Sequence, residues 1–148
     1  MDHLDHPPHD VWNTRREWFE TLVIENGETD ISDLTGTQAS ALLFELQCCF
    51  CAGAWAGVIV LAIAVMESNI NETAPAMVGK RPSLAKALNA MGLTDTPIDK
   101  LRDLRNDLVH FRGRPALTID MQYDERAMLE AQARQAVRLM FDFFKKTT

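Results

Sequence analysis

Residues 46–66 read LQCCFCAGAWAGVIVLAIAVM, twenty-one residues without a charge between Glu45 and Glu67. How this run is read decides the fold. By length it meets the criterion for a membrane span, and Gly53 and Gly57 have the small-xxx-small spacing that lets helices approach closely. Its flanks are acidic, however, and no Lys or Arg occurs from residue 17 to 79 to set an orientation. Alanine and cysteine richness fits a helix surrounded by protein, in a bundle core or at a dimer interface. With Thr37 or Ser40 as cap, the run predicts one long central helix reaching about Asn71, inside the protein rather than in a membrane.

Working outward, a first helix is predicted from Val11 to Ile24, with Trp12, Trp18, Phe19, Leu22 and Val23 as apolar contacts and Asn26-Gly27 as its stop. Before it, His3, His6 and His9 recur every third residue, but Pro7 and Pro8 deny that stretch a helix, so residues 1–10 are expected to be a flexible tail. After the long helix, Pro82-Ser83 opens a short helix to about Met91, and Thr94-Asp95-Thr96-Pro97 opens another to about Phe111. A possible extended piece, Leu117 to Met121, leads to a final helix from Asp124 to about Lys146. There Leu129, Ala133, Ala136, Met140 and Phe143 recur at helical spacing. The reading is therefore all-α: one domain over residues 11–148, a bundle of about five helices.

At 148 residues and 47% apolar content the chain can bury one sizeable core. Cys48, Cys49 and Cys51 suit neither paired disulfides nor a zinc knuckle and are expected to be buried free thiols in a reducing cytoplasm. No basic stretch with an apolar segment and cleavage site opens the chain, so secretion is not expected. The net charge of −6 hides a division. Residues 1–79 carry Arg15 and Arg16 against twelve acids, −10, whereas residues 80–148 carry thirteen cations against nine acids, +4. An anionic ligand suits the C-terminal half.

That half holds Arg105-Asn106-Asp107-Leu108-Val109-His110, with the chain's one histidine outside the N-terminal stretch. A histidine can move a proton near neutral pH and an arginine can hold a phosphate in its planar fork, so the pairing suits phosphodiester chemistry. Advancing about 100° per residue from Ile98, Leu101, Leu104, Leu108, Val109 and Phe111 form one apolar arc, and Arg105 falls inside it. A guanidinium there loses hydration and calls for a partner. Glu67, at the end of the uncharged run, is the candidate if the two helices cross. Arg102, Asn106 and His110 form a stripe on a neighbouring face. A structural Arg–Glu pair beside a surface histidine is the alternative reading of the same residues.

This stretch resembles the motif of the HEPN superfamily, all-α domains of prokaryotic toxins, CRISPR-linked nucleases and defence proteins. The match is an Arg, a polar residue and a His four positions further on, and the helix order over residues 38–146 agrees with it. The resemblance implies a homodimer in which two motifs meet and cut RNA without a metal or other cofactor. His110 would then act as general acid or base, Arg105 would hold the scissile phosphate and Asn106 would orient, with Glu67 and Asp107 in support. A 2′,3′-cyclic phosphate and a 5′-hydroxyl are the implied ends, and the long helix, with Gly53 and Gly57, or the C-terminal helix would form the dimer interface. Arg102, Arg112 and Arg114, with Lys80 and Arg81, are expected to meet the RNA backbone. Many such toxins carry a Tyr two residues after the His, a target for modification by the antitoxin. This chain has Arg112 there, so a different antitoxin protein is the implied partner. A non-catalytic dimeric module of the same fold, binding RNA, a nucleotide or a protein, is the second function these residues allow.

Overall fold

The computed structural model describes residues 5–26, 36–73 and 83–147. These form seven helices and no strand: α1 (His9–Glu25), α2 (Thr37–Ala52), α3 (Trp55–Thr73), α4 (Leu84–Ala90), α5 (Pro97–Val109), α6 (Ile119–Asp124) and α7 (Arg126–Thr147). The all-α expectation holds, with two more helices than the five expected.

One of the additional helices comes from the uncharged run itself. The expected single long helix is two helices, α2 and α3, folded back on each other. Gly53 sits at φ +80°, in the left-handed region that favours glycine. The Ala54 N–H reaches back to the Cys49 carbonyl at 2.9 Å and the Gly53 N–H to Phe50 at 3.1 Å, the bonding of a helix that has stopped. Apolar residues continue on both sides of this turn, so hydropathy gave no sign of it. The hairpin is antiparallel, because the start of α2 meets the end of α3: Gly36 N–H donates to Asn69 Oδ1 and Ala39 N–H to Glu72 Oε1.

The absence of charge in α3 before Glu67 follows from its position. Trp55, Val58, Ile59, Ala62, Ile63, Val65, Met66 and Ile70 are buried around most of its circumference, against α2, α4, α5 and α7. Among the described residues no helix is long and apolar enough to cross a membrane. The amphipathic α7 closes the bundle with Leu129, Ala133, Ala136, Val137, Met140, Phe141, Phe143 and Phe144. Phe19 of α1, Phe50, Trp55 and Phe141 meet in one aromatic nest, their ring centroids 5.5–5.9 Å apart in tilted or edge-on pairs.

Other boundaries differ for local reasons. α1 starts at His9, directly after Pro8, and His6 stacks on Trp12 at 5.2 Å, so helix and contacts reach into the stretch expected to be tail. His3 lies outside the described residues, and among those described no group of three His, Cys, Asp or Glu could hold a metal. The piece expected to be extended, Leu117 to Met121, instead runs into α6, because the Thr118 hydroxyl accepts from the Met121 N–H at 3.1 Å and caps a helix. Of the cysteines, Cys51 is buried and Cys49 half-buried, but Cys48 is exposed on the outer face of α2. Gly57 lies beside the Cys49 sulfur and Gly53 forms the turn, so both glycines have contacts inside the subunit.

Candidate functional site

α5 carries the Arg-His stretch. Thr96 and Pro97 start it, and the Asp99 carboxylate accepts from the Asp95 N–H at 3.1 Å, where Asp95 takes φ +61°. Ile98 and Leu101 are buried and Leu104 and Leu108 pack on the core, so the predicted apolar arc is real for the first three turns. It fails at its end: Val109 is 45% and Phe111 76% exposed. The helix stops at Val109, and His110 follows in extended backbone, its N–H bonded to the Asn106 carbonyl at 3.0 Å.

Arg105 leans into the bundle and meets Glu67 of α3. Nη2 donates to Oε1 at 2.6 Å and Nη1 to Oε2 at 3.4 Å, a fork-to-carboxylate pair with side chains 19% and 34% exposed. Two of the guanidinium's five N–H donors are used in this way. The buried Nε–H has no acceptor among the described residues. Glu67 also borders an open hollow of about 340 Å³ between α2 and α3, lined by Gln38, Ser68, Asn71 and Glu72.

The remaining predicted residues are placed as follows. Asn106 is half-buried and His110 exposed, and among the described residues neither side chain has a hydrogen-bond partner. Arg102 is engaged by two carboxylates, Asp99 at 3.0 Å and Asp103 at 3.2 Å. The Asp95 N–H and, against the opposing effect of burial, the Arg102 guanidinium hold the Asp99 carboxyl below its ordinary range. Asp107 faces Arg112 at 3.6 Å in an exposed pair of little energetic weight. Arg114 is exposed, while Lys80 and Arg81 lie outside the described residues. The structure thus joins Arg105 to Glu67, leaves Asn106 and His110 open, and turns Arg102 toward its neighbours.

Comparison with models of known protein families, with curated proteins and with solved structures finds no match to this chain. The site therefore rests on its own geometry.

A second basic cluster escaped the sequence reading. Arg15 of α1 and Arg126 of α7 converge on Gly53, where a Cβ would lie 3.0 Å from one guanidinium and 3.2 Å from the other. Arg15 donates to the Cys51 carbonyl at 3.0 Å and Arg126 to the Gly53 carbonyl at 2.6 Å, and both lie over the Trp55 ring, 4.7 and 5.7 Å from its centroid. Further along α7, Arg134 and Arg138 lie over Trp18 at 4.6 and 5.2 Å. The available signal was the four-residue recurrence Arg126, Glu130, Arg134, Arg138, together with Arg15 and Arg16 as the sole cations of the first 79 residues.

Proposed function

We propose that this chain is a metal-independent endoribonuclease of HEPN type, a toxin or defence effector of the cytoplasm. The observation that carries the reading is the pair that Arg105 makes with Glu67 of α3, on the helix that leads to the exposed His110, which has no side-chain partner among the described residues. Glu67 holds the Nη1/Nη2 end of the guanidinium and so fixes the direction in which its other donors point. In this reading Arg105 would hold the scissile phosphate, and His110 would take a proton from a 2′-hydroxyl and return one to the leaving 5′-oxygen. The 2′-oxygen then forms its bond to phosphorus as the bond to the 5′-oxygen breaks, leaving a 2′,3′-cyclic phosphate. Asn106 would orient a phosphate oxygen, and Arg112 and Arg114 would meet the backbone on either side.

One motif per chain makes a symmetric dimer the way to bring two together. In support, several apolar side chains left exposed lie close in sequence to His110: Val109, Phe111 and Ile119, the last 71% exposed. A second reading, a non-catalytic dimeric module, is favoured by the charge compensation of Arg105 and by the exclusion of His110 from the hollow beside Glu67. An antitoxin protein is the further partner the proposal implies.

The two readings separate in one experiment. RNA is incubated with the protein in EDTA, beside Arg105→Ala and His110→Ala variants. Loss of the histidine is expected to slow cleavage by about 10²–10⁴-fold, and a 2′-deoxy substitution at the scissile position should block it. Equal cleavage by all three proteins would assign the activity to a contaminant, and uncut RNA across varied sequences would favour the binding module.

A further inference from the structure

We propose that the arginine face built by α1 and α7 around Gly53 is a second nucleic-acid contact, holding the phosphates of the RNA strand without reading its bases. The proposal rests on RNA being the ligand of this protein. It concerns a place apart from Arg105: Trp55 begins α3 and Glu67 lies twelve residues on, about 18 Å along the helix axis.

Two guanidiniums are held side by side at Gly53, and neither has a carboxylate within ion-pair distance among the described residues. Glu130, the acid whose charge acts on Arg15, is already bonded to Arg134 at 2.7 Å. Their bonds to the Cys51 and Gly53 carbonyls tie the turn, and two like charges side by side with no ion-paired acid of their own also suit an anion that bridges them. Burial lowers the Arg15 pKa, Glu130 opposes this, and Arg126 and Arg134 lower it further, as expected where positive charge is concentrated.

The anchoring also defines what is left to bind. Arg15 uses one of its donors on the Cys51 carbonyl, and Arg126 uses two, on Gln122 and Gly53, so each keeps N–H groups for a tetrahedral oxyanion. The carbonyls and the indole below fix both planar groups before a ligand arrives, which reduces the ordering cost of binding. Arg134 and the exposed Arg138 extend the face along α7, about 12 and 18 Å from Arg126, a length that fits a strand rather than a single small anion. The aromatic rings are occupied. Trp55 is 2% exposed, and Trp18 lies against Phe50, with Arg134 and Arg138 over it, so neither tryptophan of this face is free to stack on a base. The contact is therefore to phosphate and tolerant of sequence.

Fluorescence anisotropy of a labelled single-stranded RNA, with the His110→Ala protein so that the strand survives, tests this over a salt series. Combining Arg15→Gln with Arg126→Gln should weaken binding at least tenfold and flatten the slope of log K against log salt by about 1.4, or ~0.7 per phosphate lost. Circular dichroism confirms the fold, and should that pair of changes unfold the protein, Arg138→Glu on the exposed end of the face should still weaken binding several-fold. Unchanged affinity and slope in a folded variant would overturn the proposal while leaving the ribonuclease reading intact. Failure of the parent protein to bind any RNA would overturn both. Single-stranded DNA should bind within a few-fold of RNA, and tighter binding of polyglutamate, lost in the same variants, would assign the face to an acidic protein instead.

Discussion

Glu67 and Arg105 form the residue pair on which the candidate site turns, and its energetic weight follows from burial. Both side chains are partly in water, so the pair carries neither the full desolvation penalty of an interior ion pair nor its full coupling. Glu67→Ala should therefore cost about 1–3 kcal/mol, chiefly from stranding a guanidinium that already has one unmatched N–H. Urea unfolding of the variant checks this, and cleavage measured well below its midpoint separates a lost fold from a lost activity. This pair was legible in the sequence, because an arginine inside an apolar arc demands an acid and Glu67 closed the one run that had to be buried. The Arg15–Arg126 cluster was not. Its members are 111 residues apart in sequence and meet over a glycine that had to be known as a turn before anything could be placed around it.

At the scale of elements, the boundary between α2 and α3 shows where hydropathy stops being informative. A run that is apolar on both sides of a turn has the same pattern as one that is apolar throughout, and only backbone geometry at Gly53 separates them. The far end of the hairpin has a device of its own. Gly36 precedes α2 with no side chain to cap it, and the Glu72 carboxylate, from the last turn of α3, serves instead, sitting where a Cβ on Gly36 would collide with it. Desolvation pushes the Glu72 carboxyl up, but the N–H groups of Ala39, Gln38 and Thr37 and the Ser68 hydroxyl outweigh it and hold it below its ordinary 4.5. The ionised form is thus favoured by folding. Its contribution is fully present above 4.5 and is lost as pH falls through the lower folded value. Glu72→Gln should reduce stability by about 1 kcal/mol at neutral pH, as for other lost caps, with the difference shrinking as the pH is lowered below 4.5. Urea midpoints measured for both proteins across that range are the check.

For the whole molecule, the all-α class was readable from periodicity and the absence of strand signals, whereas the number of helices was not. α6 depends on a single threonine cap, and its six residues are too few for a periodic signal. The proposed dimer draws on what the fold leaves uncovered. The exposed apolar residues Val109 and Phe111 at the end of α5 are the surface that supports the proposed dimer. Phe111→Glu should yield a monomer by sedimentation equilibrium and abolish cleavage, while changing the monomer's stability by no more than about 0.5 kcal/mol, as is usual for an exposed site. A variant that stays dimeric and active would place the interface elsewhere.

The hairpin of α2 and α3 is fastened at both ends, by the Gly53 turn with its two arginines and by Glu72 on the opposite side. Neither helix can fray from a free end without releasing contacts to a different part of the chain. Amide hydrogens in the middle of α3 should then exchange with solvent only when the entire molecule opens, and those of α6, which buries no side chain, through small local excursions. The segment that looked most like a membrane anchor is in this sense the last part of the protein to meet water.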